Sequence, residues 1–512
     1  MPKPFFITTA IDYTNGSPHI GHAYEKVLAD ALARYQRLAG RDVFFLTGVD
    51  QHGQKVQQSA AKEGVPPAEF VDRVTARFVE LWERLDVRYD RWAATTDPLH
   101  KRCVQEILQH LWDSGHFYKA SQAGFYSVRQ EQFLTDKERG PDGQFGPEWG
   151  EVVELEEENY YFKLAEHRDW LLALIDARTA AGKPFVVPDF RVAELRNAVE
   201  KLSGDLCISR PKLRLEWGIE LPFDKNFVTY VWFDALVNYI SFAGYDPKSS
   251  EPAFGNLWPA LHVIGKDILV PPHGIYWPIM LKACGFHDDD MPTLLVHGWW
   301  NIAGAKMSKS LGNIIDPFVL AETYGVDATR FYLLGDIVTG RDADFSEERL
   351  VQRYNVDLAN GLGNLLNRSL NMAGRYRERR LRCVPSPLAG FVTDRTSVYR
   401  TRMEACEVHS AIDAVLEIIV RCNGYVEETA PWKLAKNPET AAQLDEVLYT
   451  LCEALRIVSI LLEPIVPAAA AGVRSQLNVT GGISFEKATW GGLSDGHVLG
   501  EPSPLFPRIE SK

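Results

Sequence analysis

The chain has 512 residues, of which 46% are hydrophobic and 24% charged, and this composition excludes a disordered or fibrous protein. Its formal net charge of −13 excludes a uniformly basic coat for nucleic acid, although a local basic face can still bind phosphates. At roughly 100–200 residues per domain, the length predicts two to four domains. Seven scattered cysteines form no C-x-x-C pair, and no signal peptide or membrane span is visible, so we expect a soluble cytoplasmic protein.

The N-terminal residues predict a βαβ unit. An apolar run at 5–10 is typical of a buried parallel strand, and Ser17 followed by Pro18 predicts a helix that Ser17 caps. A second apolar run at 43–46 predicts the next strand. We therefore expect a doubly wound, Rossmann-like α/β domain whose ligand site lies at the carboxyl ends of the strands.

The rest of the chain predicts an interrupted α/β domain followed by helices. Glycines and acidic residues crowd 140–158, which indicates a loop-rich α+β insertion, and strand-like runs return at 227–232 and 261–264. Beyond residue 346, apolar residues at helical spacing predict an all-α bundle. The predicted boundaries are 1–114 and 226–300 for the two halves of the α/β domain, 115–225 for the insertion, 301–350 for a lysine loop and its surroundings, 351–480 for the bundle and 481–512 for a tail.

The first chemical motif is His19-Ile20-Gly21-His22, at the start of the predicted first helix. Backbone N–H groups and the helix dipole favour phosphate at such a position. His19 and His22 are three residues apart and share a helical face, while Gly21 removes the side chain that would keep a base or a phosphate at a distance. A histidine pair that only caps the helix or is hydrated is the alternative.

The second motif is Lys306-Met307-Ser308-Lys309-Ser310, which Gly304 precedes and Gly312 follows. Its two lysines can close over a triphosphate and neutralise charge as pyrophosphate leaves. Most lysine-rich loops are merely solvated, so the motif alone is weak. The occurrence of both motifs in this order favours nucleotide chemistry over accident.

Together these two motifs resemble the HIGH and KMSKS signatures of class I aminoacyl-tRNA synthetases. The resemblance implies that ATP, with Mg²⁺, and an amino acid form an aminoacyl-adenylate, and that the amino acid is then transferred to the 3′-terminal ribose of a tRNA. It also implies catalytic roles for His19, His22, Lys306 and Lys309. Positioning and charge stabilisation would supply most of the rate.

Further segments resemble the methionyl-tRNA synthetases within this class. The segments at 10–16 and 47–53 match, and Asp50 offers a carboxylate for the α-ammonium group, with a loop or cap aspartate as the alternative. Trp232, Tyr239 and His297 would give a pocket with aromatic walls and one imidazole, which suits a thioether but would also suit leucine. Packing in the hydrophobic core is the alternative interpretation of Trp232 and Tyr239. The implied methionine-binding residues are Ala10, Ile11, Tyr13, Asp50, Trp232, Leu236, Tyr239 and His297. The implied ATP-binding residues are His19, Gly21, His22, Gly265, Asp267, Lys306 and Lys309.

The helical half also resembles this family. Asn364, Arg368 and Trp432 match its anticodon-reading positions, where Asn364 and Arg368 share a helical face and Trp432 offers a stacking platform. Packing at a helix start is the alternative for Trp432. The arginines between 375 and 382 could hold tRNA phosphates or form a solvated loop.

The complete prediction is ATP-dependent joining of L-methionine to tRNA(Met), for translation initiation and elongation. We expect no structural zinc, since the insertion keeps the flanking segments 126–129 and 159–162 without a cysteine between them, and we expect a monomer, since no further domain follows the bundle. The alternatives are a class I synthetase for cysteine or leucine, a small-molecule nucleotidyltransferase and a non-catalytic tRNA-binding paralogue. An insertion of about 110 residues is short for an editing domain, and a nucleotidyltransferase does not need the bundle.

Overall fold

A computed structural model describes residues 3–128, 132–134, 136–248, 252–302, 304–306 and 315–510. In chain order the strands are β1 (Phe5–Thr9), β2 (Asp12–Tyr13), β3 (Val43–Asp50), β4 (Arg91–Ala94), β5 (Phe117–Ser127), β6 (Gln132–Leu134), β7 (Val152–Phe162), β8 (Val186–Val187), β9 (Leu206–Cys207), β10 (Ser209–Pro211), β11 (Phe227–Thr229), β12 (Leu261–Gly265), β13 (Thr293–His297), β14 (Trp300–Ile302), β15 (Ala305–Lys306) and β16 (Ala343–Asp344).

The helices are more numerous in the second half of the chain. They are α1 (Ile20–Leu38), α2 (Gln54–Glu63), α3 (Pro67–Arg84), α4 (Pro98–Asp113), α5 (Arg168–Ala180), α6 (Val192–Glu200), α7 (Val231–Ala235), α8 (Asn238–Ser241), α9 (Pro252–Leu257), α10 (Trp277–Ala283), α11 (Pro317–Tyr324), α12 (Val326–Gly335), α13 (Glu347–Arg353), α14 (Asn364–Arg377), α15 (Ala389–Glu404), α16 (Val408–Thr429), α17 (Pro431–Leu434), α18 (Ala441–Leu461) and α19 (Pro467–Gln476). Two wider, π-helical segments cover Leu269–Tyr276 and Tyr354–Gly363.

The centre of the first half is a seven-stranded parallel sheet. Its order is β2-β3-β1-β12-β13-β8, and β4 also pairs with β3. The predicted strands at 5–10 and 43–46 are confirmed, and β3 extends to Asp50 because its last six residues are buried. The predicted doubly wound α/β domain and the helical second half are therefore correct.

The strand predicted at 227–232 is wrong beyond Thr229. The chain leaves β11 after that residue and begins α7 at Val231, because the Tyr230 N–H donates to the Ile208 carbonyl and the backbone then turns into a helix. A short apolar and aromatic run suits a buried helix as well as a strand, and periodicity alone does not separate them. This turn matters for function, since α7 lies beside the ends of the central strands.

The stretch predicted as an insertion contains an antiparallel sheet of order β6-β5-β7-β9. β5 and β7 pair along their whole length, from Phe117 opposite Phe162 to Ser127 opposite Val152. The same stretch also supplies β8, which adds an edge strand to the parallel sheet beside β13. The insertion is therefore tied into the central sheet.

The second half packs as helices around α18, which is buried from Val447 to Leu461. The C-terminal segment then runs back over these helices. Arg456 on α18 donates to the carbonyls of Lys487 and Thr489, and the Tyr354 hydroxyl donates to the Pro507 carbonyl. The tail thus packs as a strap along the bundle.

Candidate active site

A cavity of about 540 Å³ lies where the central strands β1, β3, β12 and β13 end. Parallel sheets bind their ligands at this edge. The predicted ATP- and methionine-binding residues that line it are Ala10, Ile11, Tyr13, His19, Gly21, His22, Asp50, Trp232, Leu236, Tyr239, Gly265, Asp267 and His297. The folded chain therefore brings together residues that are up to 287 positions apart in the sequence.

The start of α1 is capped by a histidine, so the prediction that Ser17 caps it is wrong. His19 Nδ1 accepts the Gly21 N–H at 3.1 Å, and His22 Nδ1 accepts the His19 N–H at 3.1 Å. The two rings stack with centroids 3.8 Å apart. A methyl group on Gly21 would lie 2.9 Å from His19 Cε1, so this glycine gives the His19 ring its place.

The lysine loop begins at a β-hairpin. β14 pairs antiparallel with β15, with Asn301 opposite Lys306, and Gly304 takes a φ of 75° in the turn between them. This left-handed conformation favours glycine. Lys306 is thus the last residue of a strand that follows the central sheet, while Lys309 lies outside the described residues.

Asp50 ends β3 with its carboxylate at the cavity wall. The residue is only 5% exposed, and its Oδ1 accepts the His52 N–H at 3.2 Å and the Thr95 hydroxyl at 3.4 Å. Donors of this kind fix the orientation of a carboxylate. A largely desolvated carboxylate that faces a cavity is suited to bind a cation such as an α-ammonium group.

The opposite wall consists of aromatic rings and neutral imidazoles. The Tyr239 hydroxyl lies 2.7 Å from His273 Nε2, and His273 Nδ1 lies 2.9 Å from the Ile268 carbonyl. A carbonyl only accepts, so Nδ1 carries the proton and the tyrosine donates to Nε2. Burial lowers the pKa of His273 to about 4, and the ring is therefore uncharged at neutral pH. Trp232 packs edge-on against it at 6.2 Å.

The Tyr239 ring is held from behind by a second imidazole. His262 stacks on it with centroids 4.1 Å apart, and His262 Nε2 accepts the Trp277 indole N–H at 3.1 Å. His262 Nδ1 therefore carries the proton and donates to Thr8 Oγ1 at 2.6 Å. Burial lowers the pKa of His262 well below its usual range, so this support is also neutral.

His297 lies in a buried charge network on the α1 side of the cavity. Its Nε2 is 3.1 Å from Glu25 Oε2, and its Nδ1 is 2.8 Å from the Gly298 carbonyl. Lys26, which is fully buried, donates to Glu25 Oε1 at 2.8 Å and to Asp12 Oδ1 at 2.6 Å. Burial opposes the charge on Lys26, but the two carboxylates outweigh it and raise the pKa of this lysine.

Sequence reasoning missed several cavity residues that carry polar atoms, among them His273 and Glu25. His273 is the imidazole that contacts the aromatic wall, whereas His297, predicted for that role, lines the cavity beside Glu25. Glu25 follows His22 by three residues and so shares its helical face, which is a signal that the spacing contained. His273 offered no local signal, since its partner Tyr239 lies 34 residues away.

A separate site lies on the helical half, at the residues predicted to read an anticodon. Arg368 on α14 donates to Glu427 at 2.7 Å, and its guanidinium lies 5.9 Å from the ring of Trp432. Trp432 is 36% exposed, and Asn364 is also exposed, one helical turn from Arg368. The three side chains thus share one surface, and the packing interpretation of Trp432 accounts for only part of its ring.

The described residues contain no group of three or more His, Cys, Asp or Glu side chains arranged to hold a metal. The absence of zinc stays a prediction. Within the same residues, no helix has the length and apolar character needed to cross a membrane.

Comparison with known proteins identifies the class that this fold and cavity define. The family model described as tRNA synthetases class I (M) matches residues 5–143 and 149–370. Residues 386–512 match the model described as the anticodon binding domain of methionyl tRNA ligase. The chain is thus a class I aminoacyl-tRNA synthetase by family.

Individual relatives narrow the class to one amino acid. The methionine–tRNA ligase of Deinococcus radiodurans is 43% identical over all of this chain and 75% of its own length, and that of Bacillus subtilis is 39% identical over 99% and 78%. A Mycobacterium tuberculosis methionyl-tRNA synthetase in complex with methionyl-adenylate superimposes with a TM-score of 0.92 at 36% identity, over 99% of this chain and 100% of that one. The chain belongs to the methionyl-tRNA synthetase family, as its motifs predicted.

Proposed function

We propose that this chain joins L-methionine to tRNA(Met) in two steps, through a methionyl-adenylate formed in the cavity. The observation that carries the proposal is the meeting of three features in one cavity: a helix start with two histidines, a desolvated carboxylate and a neutral aromatic wall. Membership of the family, and the relative whose structure contains methionyl-adenylate, support the choice of substrates.

ATP is proposed to bind along the start of α1 and the end of β12. His19, Gly21 and His22 would meet the phosphates, where the helix dipole favours negative charge. Gly265 and Asp267 would meet the adenosine, since Gly265 ends β12, Asp267 follows it by two residues, and both line the cavity. Mg²⁺ would enter with ATP as part of the substrate.

Methionine is proposed to lie between Asp50 and the aromatic wall. Asp50 would bind the α-ammonium group, while Trp232, Leu236, Tyr239 and His273 would surround the side chain. Because the His273 ring is neutral and its Nε2 already accepts from Tyr239, this imidazole presents neither a charge nor a free ring acceptor to the side chain. Such a wall favours an uncharged, polarisable thioether over a charged side chain.

The remaining cavity residues complete this proposal. The segment after β1 lines the side of the cavity beside Asp50 with Ala10, Ile11 and Tyr13. Tyr13 on β2 lies directly opposite Asp50 on β3. His297 would line the methionine site from the α1 side, where it contacts Glu25.

The proposed chemistry needs charge stabilisation more than proton transfer. A methionine carboxylate oxygen attacks the α-phosphorus of ATP, the bond from that phosphorus to the bridging oxygen breaks, and pyrophosphate leaves. Lys306 and Lys309 would stabilise the charge that develops on the leaving group. In the second step a 3′-terminal ribose hydroxyl attacks the methionyl carbonyl and loses its proton as AMP departs.

Asn364, Arg368 and Trp432 are proposed to read the anticodon. The half-exposed Trp432 ring can stack on an unpaired base, while Asn364 and Arg368 can donate hydrogen bonds to base edges. Arg368 is already oriented by Glu427, which reduces the entropy lost on binding.

Amino-acid-dependent exchange of pyrophosphate into ATP, measured with each of the twenty amino acids, tests the proposal. We expect exchange with methionine and much weaker exchange with leucine and cysteine, the substrates of the alternative class I enzymes. Exchange with another amino acid at a lower KM than methionine would reject the proposed substrate. No exchange with any amino acid would reject the enzyme itself.

The predicted domain boundaries, the monomeric state and the cytoplasmic location stay predictions. Light scattering of the purified chain would measure its mass in solution and so test the second.

A further inference from the structure

A buried carboxylate outside the cavity is bound by two histidines. Asp234 on α7 is 1% exposed, and its Oδ2 lies 2.7 Å from His52 Nδ1 while its Oδ1 lies 2.8 Å from His100 Nε2. A carboxylate only accepts, so both of these ring nitrogens carry protons and donate. Asp234, His52 and His100 do not line the cavity. The proposed chemistry therefore leaves this cluster without a role.

His52 connects the cluster directly to Asp50. His52 lies in the loop after β3, and its backbone N–H donates to Asp50 Oδ1 at 3.2 Å. On the other side of the bond, α7 carries Trp232, which lines the cavity. One side-chain hydrogen bond, from His52 to Asp234, thus connects the carboxylate proposed for the α-ammonium group with the wall proposed for the thioether.

His100 connects the cluster to Ser241. His100 on α4 is fully buried, stacks on Phe242 at 5.8 Å and lies 2.8 Å from Ser241 Oγ through its Nδ1. Ser241 ends α8, whose cavity residue Tyr239 is held separately by His262 and His273. The two histidines therefore make similar bonds to one carboxylate, but only His52 continues to Asp50.

We propose that His52 and Asp234 are positioning residues of the methionine site, which fix the separation between the Asp50 carboxylate and the Trp232 wall. This inference rests on the proposed function. Neither residue would touch the substrate. Both would act by holding the two ends of one amino acid at a fixed distance. The residues proposed for ATP lie on other elements, at the start of α1 and the end of β12. Misplacement of a binding group by about 1 Å is enough to lose much of its effect.

Matched substitutions of the two histidines test the proposal. His52→Leu and His100→Leu each remove one donor to Asp234 at similar side-chain size, and each leaves the carboxylate with one histidine. In pyrophosphate exchange we expect His52→Leu to raise the methionine KM by about tenfold or more, with the ATP KM within about twofold. We expect His100→Leu to leave the methionine KM within about twofold, although its thermal midpoint falls comparably.

A conservative variant provides the rescue. In His52→Asn the side-chain amide can take the place of Nδ1 and donate to Asp234, so the methionine KM should return toward that of the unsubstituted chain. If His52→Leu does not fold, Asp234→Ala removes both acceptor oxygens and should raise the methionine KM in the same way.

Three results would overturn the positioning role: equal methionine KM values in His52→Leu and His100→Leu, equal rises in the methionine and ATP KM values, or an unchanged methionine KM in Asp234→Ala. Failure of the unsubstituted chain to exchange with methionine would instead reject the proposed function, and the two failures are therefore distinct.

Discussion

At the scale of single residues, the charge of each buried side chain distinguishes the cavity wall from the residues that support it. Burial would raise the pKa of the Asp234 carboxyl, but His52 and His100 outweigh it and hold that pKa at about 2. The rings of His273 and His262 contact hydroxyl groups, a carbonyl and an indole, and burial lowers the pKa values of both. The aromatic wall is thus neutral while its support behind α7 is ionic.

The first residue-scale prediction separates binding from catalysis. Asp50→Asn removes the charge proposed for the α-ammonium group, and a charge-assisted hydrogen bond of about 1.5–3 kcal/mol predicts a methionine KM that rises by roughly 10- to 100-fold. Lys309→Ala should instead lower kcat, because its charge acts on the leaving pyrophosphate. Steady-state pyrophosphate exchange measures both.

Asp97→Asn is the control for the first of these substitutions. Asp97 caps α4 by accepting the Leu99 N–H, and asparagine caps equally well, so its KM and kcat should not change. An unchanged methionine KM in Asp50→Asn would make Asp50 a structural residue of its loop. A raised methionine KM with normal kcat in Lys309→Ala would contradict the role of the lysine.

The second residue-scale prediction concerns acid stability. Because the pKa of Asp234 lies at about 2 in the folded chain and near 3.9 when unfolded, the ionised carboxylate and its bonds to His52 and His100 stabilise the fold above about pH 4. This contribution, roughly 2 kcal/mol, is lost as the pH falls from about 4 to 2. The difference in thermal midpoint between the unsubstituted chain and Asp234→Asn should therefore shrink between pH 5 and pH 3. A constant difference over that range would show that the carboxylate is not held ionised.

At the scale of elements, the start of α1 shows what a sequence pattern can and cannot predict. The helix, its preceding strand and the motif at its start were all predictable, because apolar spacing and the turn residues determine them locally. The cap was not, because Ser17 followed by Pro18 is a general start signal and the true cap depends on the stacked rings of His19 and His22. The cap is therefore a local arrangement of His19, Gly21 and His22 that the general start signal does not indicate.

Two substitutions of His19 separate capping from catalysis. Asparagine is a good N-cap and alanine is not, so His19→Ala should lose about 0.5–2 kcal/mol of stability while His19→Asn loses little. Both remove the imidazole, and both should lower kcat for pyrophosphate exchange by about 100-fold or more if that ring stabilises charge at the α-phosphate. Thermal melts and exchange kinetics of the same preparations measure the two effects. Normal kcat in His19→Asn would reduce the histidine to a cap.

The element that begins at Val231 shows the opposite outcome. The resemblance identified its apolar residues as part of the site. The prediction that they form a strand was wrong, because a buried helix of five residues and a buried strand have the same composition. The roles of Trp232 and Leu236 therefore depend on α7, whose position at the cavity is fixed by contacts with residues far away in the sequence, such as His52 and His100.

At the scale of the whole molecule, one buried arginine joins the two halves of the chain. Arg330 on α12 donates to Asp30 of α1 at 2.6 Å, to the Leu85 carbonyl after α3, and to the carbonyls of Pro464 and Ile465 before α19. Both ionised side chains are 0% exposed. Such pairs specify geometry more than they stabilise, so the helix that carries His19 and His22 has a fixed orientation to the bundle.

This connection could not be predicted from the chain. Arginine is mostly exposed, and nothing in the sequence near residue 330 indicates a partner 300 positions away. The order of domains, the parallel strands and the family motifs were predictable because each depends on local pattern or on resemblance. Pairings across the fold, including β8 beside β13 and Arg330 with Asp30, depend on topology.

We propose that one chain activates methionine in the cavity and selects its tRNA at a separate surface around Trp432. The most direct test is to measure methionine-dependent pyrophosphate exchange and ATP-dependent attachment of labelled methionine to a tRNA with a CAU anticodon, for the unsubstituted chain and for Trp432→Ala. A stacking surface is worth about 1–3 kcal/mol per base, so charging by Trp432→Ala should fall by roughly one to two orders of magnitude. Exchange without tRNA should be nearly unchanged, with a normal thermal melt. Equal losses in both reactions, or no attachment of methionine by the unsubstituted chain, would contradict the account.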